Sequence, residues 1–316
     1  MKKNNSDLTE YPRMCLGQYP IRDLQFSPAS DQIAVVRRNS VLIYDAETGA
    51  EISLITRHTA SITAIFFNPD GKTLMSACEK GTICISETST GKCTGTIHDY
   101  EGEFVAFSPD GNSFAAKSWG LADWEVDKIH VFDIATSTLV QTIRADGRSG
   151  FLGVVFSPDG KTLAISEYER NILDGPCPIS IWDISTGTRL KTLTVVGGGA
   201  YSIVFSPDGR KLADSGGLWD HRIALWDVGT GTQCCVFGPQ NNVGYADVLA
   251  FSLDGSMLVS GHSDGRVLLL NVNTGEQLNT FIGHTAKVSS LCFSPDGSSL
   301  ATGCEDGTVM LWDILN

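Results

Sequence analysis

Phe156-Ser157-Pro158-Asp159-Gly160 decides the fold, because the same phrase returns along the chain. Its other copies are Phe26-Ser27-Pro28, Phe67-Asn68-Pro69-Asp70-Gly71, Phe107-Ser108-Pro109-Asp110-Gly111, Phe205-Ser206-Pro207-Asp208-Gly209, Phe251-Ser252-Leu253-Asp254-Gly255 and Phe293-Ser294-Pro295-Asp296-Gly297. The seven Phe positions are separated by 41, 40, 49, 49, 46 and 42 residues. A period in the forties fits a four-stranded unit repeated around an axis. The phrase itself has the chemistry of a turn: proline pre-sets φ, aspartate tolerates the next corner and glycine takes the awkward dihedral.

Outward from the phrase, each unit has the same grammar. An apolar run precedes the Phe, as in Ser202-Ile203-Val204-Phe205, and a short second strand follows, as in Lys211-Leu212-Ala213. A third strand ends in an aromatic–acid pair at Tyr44-Asp45, Phe132-Asp133, Trp182-Asp183, Trp226-Asp227 and Trp312-Asp313, with Ser86-Glu87 and Leu270-Asn271 in the second and sixth copies. Thr-Gly turns at 48–49, 90–91, 186–187, 230–231 and 274–275 lead to a fourth strand such as Gln277-Leu278-Asn279-Thr280-Phe281. No amphipathic helix of ten or more residues interrupts this pattern. The spacing predicts an all-β, seven-bladed β-propeller.

Composition narrows the function. The chain has 316 residues, 42% of them apolar, so disorder is excluded as the main state. The formal charge of −13 opposes a phosphate backbone and an anionic membrane surface, so nucleic-acid and membrane partners are not expected. No apolar run approaches 18 residues, and MKKNNSDLTEYP has no apolar stretch behind its lysines, so neither a bilayer span nor a secretory leader is expected. Nine cysteines without a C-x-x-C pair read as reduced thiols of a cytoplasmic protein. Lys72-Thr73 and Lys161-Thr162 follow glycines but lack the first glycine of a phosphate loop. The chain also has no H-E-x-x-H or G-x-G-x-x-G. No cofactor, metal site or enzyme activity is expected.

The seven phased copies resemble the WD-repeat family over essentially everything from about residue 11, with 1–10 expected as a flexible tail. Blade cores are placed near residues 20, 61, 101, 150, 199, 245 and 287 of one domain, 11–316. The last copy stops after its third strand, and a spare strand, Tyr11 to Leu16, precedes the first core; it is expected to complete the last blade. The resemblance implies a buried relay of His284, Thr302, Asp306 and Trp312 in copy seven. Elsewhere the set is incomplete: copy two has His58 and Ser76 with Lys80 and Ser86 in place of the acid and the ring, copy five keeps Asp220 and Trp226, and copy six keeps Ser260 and Asp264, so most blades are expected to rely on apolar packing.

The resemblance also implies where a partner docks. Copies three and four carry insertions, roughly Ser118–Lys128 and Glu167–Pro178, containing Trp119, Trp124, Tyr168 and Arg170, residue types that anchor interfaces. Trp119 and Trp124 equally suit plugging their own loop. Channel-mouth positions, carried over by offset from each Phe, include Pro20, Arg22, Ser61, Thr63, Glu79, Glu101, Glu103, Gly150, Leu152, Gly199, Tyr201, Trp219, Tyr245, Asp247, Ser263, Lys287, Ser289 and Glu305. An aromatic patch at Tyr201, Trp219 and Tyr245 with acids beside it suits a peptide carrying Lys or Arg. The expected function is therefore a non-catalytic, monomeric scaffold for a protein or peptide. The alternative is a propeller enzyme or small-molecule binder using the central channel. Histone-tail or RNA binding would need a basic rim.

Overall fold

The computed structural model describes residues 14–16, 19–98, 105–118, 127–145, 149–169, 177–195, 200, 202–216, 222–237 and 244–314. These residues contain strands and no helix, arranged as seven four-stranded antiparallel sheets. Six sheets use four consecutive strands; blade one, for example, is Asp23–Phe26, Gln32–Arg37, Ser40–Asp45 and Glu51–Ile55. In the seventh, Met14–Leu16 lies beside Val309–Asp313, with Met14 opposite Leu311 and Leu16 opposite Val309, followed by Ser299–Cys304 and Val288–Phe293. The first strand of every blade touches the first strand of the next, including Val288–Phe293 against Asp23–Phe26, so the inner strands make a complete circuit.

The repeated turn explains why the copies fold alike. In Ser157–Gly160 the Ser157 hydroxyl donates to Asp159 Oδ1 at 2.6 Å and accepts from Thr162 N at 3.0 Å, while Gly160 sits at φ 69° and donates to Ser157 O. The same serine-to-aspartate bond recurs at Ser108, Ser206, Ser252 and Ser294. The apolar cores lie between blades. Ala115, Ile129 and Val131 of blade three pack with Phe151, Phe156 and Leu163 of blade four; Ile21, Leu24 and Phe26 of blade one pack with Ala301, Val309 and Leu311 of blade seven. Each fully buried side chain of this kind contributes roughly 1.5–3 kcal/mol. The free edges of the inner strands are capped by neighbouring side chains: Asp23 Oδ2 accepts from Ile65 N at 3.3 Å and Gln25 Oε1 from Phe67 N at 2.8 Å.

One detail departs from the sequence expectations. The second strand of blade four runs Thr162–Glu169, so Glu167 and Tyr168 belong to a strand and not to an insertion. Its partner Ser149–Phe156 is equally long, and Gly150, lacking a side chain, leaves room for the Tyr168 ring opposite it. Blade two keeps the polar pair that its sequence retains, His58 Nε2 lying 2.7 Å from Ser76 Oγ, in addition to its apolar packing.

The turns also set the response to acid. Hydrogen bonds from Ser157, Ser206, Ser252 and Ser294 hold Asp159, Asp208, Asp254 and Asp296 below the usual carboxylate range; Thr48 and Thr136 do so for Asp45 and Asp133. Their contribution is present above a pH of about 4 and is lost as pH falls through the lowered values. Burial lowers His58, His262 and His284, the last to about 4, so below a pH of about 6.5 the unfolded chain takes up protons that the fold refuses. Asp23, raised to about 6 by burial, acts oppositely: its favourable contribution is lost as pH rises through 6. The thermal midpoint is expected to fall as pH drops below about 6.5 and to fall more steeply below about 4. Asp23→Asn should steepen the first limb. Calorimetry from pH 8 to 3 checks this; a midpoint that climbs from pH 7 to 5 contradicts it.

Candidate functional site

The rim loops are held by buried polar relays, most fully in blade seven. Trp312 Nε1 donates to Thr302 Oγ1 at 2.9 Å, and Thr302 Oγ1 lies 2.7 Å from His284 Nε2. His284 Nδ1 lies 2.9 Å from Thr308 Oγ1, which donates to Asp306 Oδ1 at 2.5 Å. The network assigns His284 as neutral with its proton on Nδ1, giving one direction of donation from Trp312 to Asp306. Asp306 thus joins through Thr308, which the sequence pattern did not include. Asp306 Oδ2 also accepts from Thr285 N and Oγ1, which fixes the loop leading into blade seven. Burial would raise Asp306, but these donors hold it well below the usual range.

Blades four, five and six rebuild the relay from other residues. In blade four Trp182 Nε1 donates to Ser180 Oγ at 2.7 Å, Ser180 donates to Glu167, and Arg189 binds Glu167 at 3.3 Å while lying 4.8 Å over the Trp182 ring. In blade five Trp226 Nε1 donates to Asp214 Oδ2 at 2.5 Å. Blade six uses His262, bonded to Ser260 Oγ at 2.9 Å and Gly244 O at 2.7 Å. The expectation that most blades rest on apolar packing alone is corrected accordingly: a buried polar group that finds any partner avoids an orphan cost of about 1–3 kcal/mol, so the partner's identity can drift while the bond persists.

Above these relays lies a recess of about 460 Å³ where blades six, seven and one meet, lined by Pro20, Ile21, Arg22, Asp247, Val248, Lys287, Ser289 and Glu305. Backbone bonds explain why offset positions converge here. Ser263 N donates to Tyr245 O and Glu305 N to Lys287 O, so each loop end after a second strand is tied to the start of its own first strand. Ser289 Oγ donates to Ile21 O at 2.6 Å, joining blade seven to blade one at the floor. His262 and Asp264 both bind Gly244, and Arg266 clamps Asp264 at 2.6 Å, which positions the neighbouring Tyr245.

The charges in the recess are unequal in their satisfaction. Lys287 Nζ bonds Asp247 Oδ1 at 2.6 Å, with the Asp247 side chain only 10% exposed. Asp247 Oδ2 is buried with no hydrogen-bond partner among the described residues. Burial pushes the Asp247 carboxyl up, against the pull of Lys287. Burial would lower Lys287, but Asp247, Glu305 and Tyr245 hold it up. Arg22 and Glu305 are exposed at the margin. Among the described residues, the arrangement offers one buried acceptor without a donor, with an exposed cation and an exposed anion beside it.

Of the residues singled out in the sequence, Asp247, Lys287 and Glu305 meet in this recess with Tyr245 beside them. Tyr168 stands apart, against Gly150 in blade four. Trp119, Trp124, Arg170, Tyr201, Trp219, Glu101 and Glu103 lie outside the described residues, as does Asp220. His284, Cys304 and Asp306 bring donor atoms within 4.8 Å of one another. Both His284 nitrogens are already bonded to threonines, however, so the trio is a lock between loop and strand. Cys78, Cys84, Cys93, Cys177, Cys234, Cys235, Cys292 and Cys304 are free thiols.

Two family descriptions match the chain: WD domain, G-beta repeat, over residues 187–227 and 275–313, and Anaphase-promoting complex subunit 4 WD40 domain, over residues 20–108. Among curated proteins, Pre-mRNA-processing factor 19 of Oryza sativa subsp. japonica is 24% identical over 268 residues, 83% of this chain and 48% of that protein. Autophagy-related protein 16 of Arabidopsis thaliana is 24% identical over 212 residues, 66% of this chain and 38% of that protein. The Transcriptional corepressor LEUNIG_HOMOLOG of Arabidopsis thaliana is 28% identical over 210 residues, 66% of this chain and 24% of that protein. The matched region spans less than half the length of each of these relatives.

Proposed function

The chain belongs to the WD-repeat family, and we propose that it is a non-catalytic interaction scaffold whose channel mouth receives a segment of a protein partner. The observation that carries this is the buried Asp247 Oδ2, an acceptor without a donor among the described residues, in an open recess with Glu305 on its wall and Tyr245 near Lys287. Such an atom costs about 1–3 kcal/mol while unmet, which a donor from a partner recovers. A Lys or Arg side chain suits it, supplying both the hydrogen bond and the charge that Glu305 faces. The names of the relatives point to separate processes (pre-mRNA processing, autophagy, corepression), which fits a shared module that holds partners more than a shared reaction.

Affinity capture with quantitative mass spectrometry tests the proposal, comparing the parent with Tyr245→Ala/Glu305→Lys. Both positions are on the rim, so the thermal midpoint should stay within about 2 °C. Partners held by the parent should be recovered about tenfold less by the variant, a loss of about 1.4 kcal/mol. Equal recovery by both proteins refutes the mouth as the docking site.

A further inference from the structure

The fourth strand of blade two, Cys93–Ile97, is the outer edge of its sheet, with no strand on its outer side among the described residues. A cleft of about 550 Å³ separates it from the end of blade one, with Leu54 and Arg57 on one wall and Thr94, Gly95 and Thr96 on the other. We propose that this cleft takes an extended acidic segment of a partner protein, which adds to blade two as a fifth strand.

The cleft exists because of one short side chain. Ser53, Gln141 and Lys191 hold the same register position in the fourth strands of blades one, three and four, opposite Ile43, Val131 and Ile181. Each reaches the turn of the next blade: Ser53 to Thr88 O, Gln141 to Ile184 O and Lys191 to Gly229 O. Gln141 and Lys191 are long, and a Cβ built on Gly187 or Gly231 would stand 2.8 Å from them, so they fill the space between their blades. Ser53 cannot. Blades one and two instead touch through backbone at Gly91, where a Cβ would lie 2.4 Å from Leu54 O, and the cleft opens beyond that point.

Its walls define the occupant. Edge strands are commonly guarded by charge, as Arg189 and Lys191 guard blade four, but Cys93–Ile97 is Cys-Thr-Gly-Thr-Ile and carries none. Arg57 is the one charged group on the walls of the cleft; it is exposed and has no ion pair or side-chain hydrogen bond among the described residues, in a chain of net charge −13. Leu54 is 46% exposed beside it. A strand with side chains alternating at about 6.6–6.8 Å could lay an apolar residue on Leu54 and a carboxylate on Arg57, its main chain pairing with the open edge. This surface is separate from the mouth and does not rest on it.

A phage library of random dodecapeptides, selected on the folded chain, tests the proposal. The expected winners alternate apolar residues with Asp or Glu. A synthetic winner should shift the amide resonances of Thr94–Thr96, bind Arg57→Glu at least about tenfold more weakly, and bind Ser53→Gln, which copies the filling of blade three, weaker still. Its affinity for Tyr245→Ala/Glu305→Lys should be unchanged, which separates this surface from the mouth. Arg57 is exposed, so Arg57→Glu keeps the fold even if Ser53→Gln does not. A selection without winners, or winners whose binding survives both cleft variants, overturns the proposal.

Discussion

Replacing Lys117 with methionine is expected to lower the unfolding free energy by about 3–5 kcal/mol, the largest effect of any single change named here. Lys117 and Asp127 are 2% and 0% exposed, at the seam between blades three and four. Lys117 Nζ donates to Phe151 O and lies 3.6 Å from Asp127 Oδ2, and Asp127 Oδ2 also accepts from Phe151 N at 3.1 Å. One ion pair therefore satisfies both backbone groups of a residue in the first strand of blade four. Methionine keeps most of the stem's volume, so packing is little disturbed and the loss is electrostatic. The variant removes a counter-charge from a buried carboxylate and this donor from the Phe151 carbonyl. Lys117→Met/Asp127→Asn should recover about 1–3 kcal/mol relative to the single variant, because the amide oxygen still accepts from Phe151 N while the charge is gone. Urea unfolding at pH 7 measures both. A single variant within about 1 kcal/mol of the parent, or a double variant less stable than the single, refutes the account.

Lys117–Asp127 also marks where sequence reading stops. Seven copies of one turn phrase are a signal summed over the chain, so blade number and strand order are legible in the sequence. Ser157 and Asp159 bond within the phrase that contains them, and a local bond of that kind is readable from spacing alone. Lys117 lies in the second strand of blade three and Asp127 just before the third, and the pair occurs once; nothing in their spacing shows that both are buried against Phe151. Asp214, Glu167 and His262 were missed for the same reason, each being a substitute in a relay whose usual members are absent. The mouth was legible as positions, since a shared backbone bond, Glu305 to Lys287 and Ser263 to Tyr245, fixes the offsets. The pairing of Lys287 with Asp247 crosses blades and was not. Ser53 is informative only when set beside Gln141 and Lys191 in register, a comparison that needs the sheet first.

Thr302→Val should cost about 2–4 kcal/mol, although it exchanges a hydroxyl for a methyl at nearly constant volume. Thr302 Oγ1 is the one atom that joins the Trp312 indole to the His284 ring. Trp312 is 1% exposed, so its N–H has no water to turn to, and His284 Nε2 loses its donor at the same moment. Two buried groups are stranded by one substitution, each at about 1–3 kcal/mol, with some relaxation between neighbours. Thr302→Ser separates this cause from packing: it keeps the hydroxyl, removes one methyl and should cost about 1 kcal/mol. If stability came from apolar fit alone, valine would be the milder change and serine the harsher one. The order of the two urea midpoints therefore decides whether blade seven is held by its relay or by its packing.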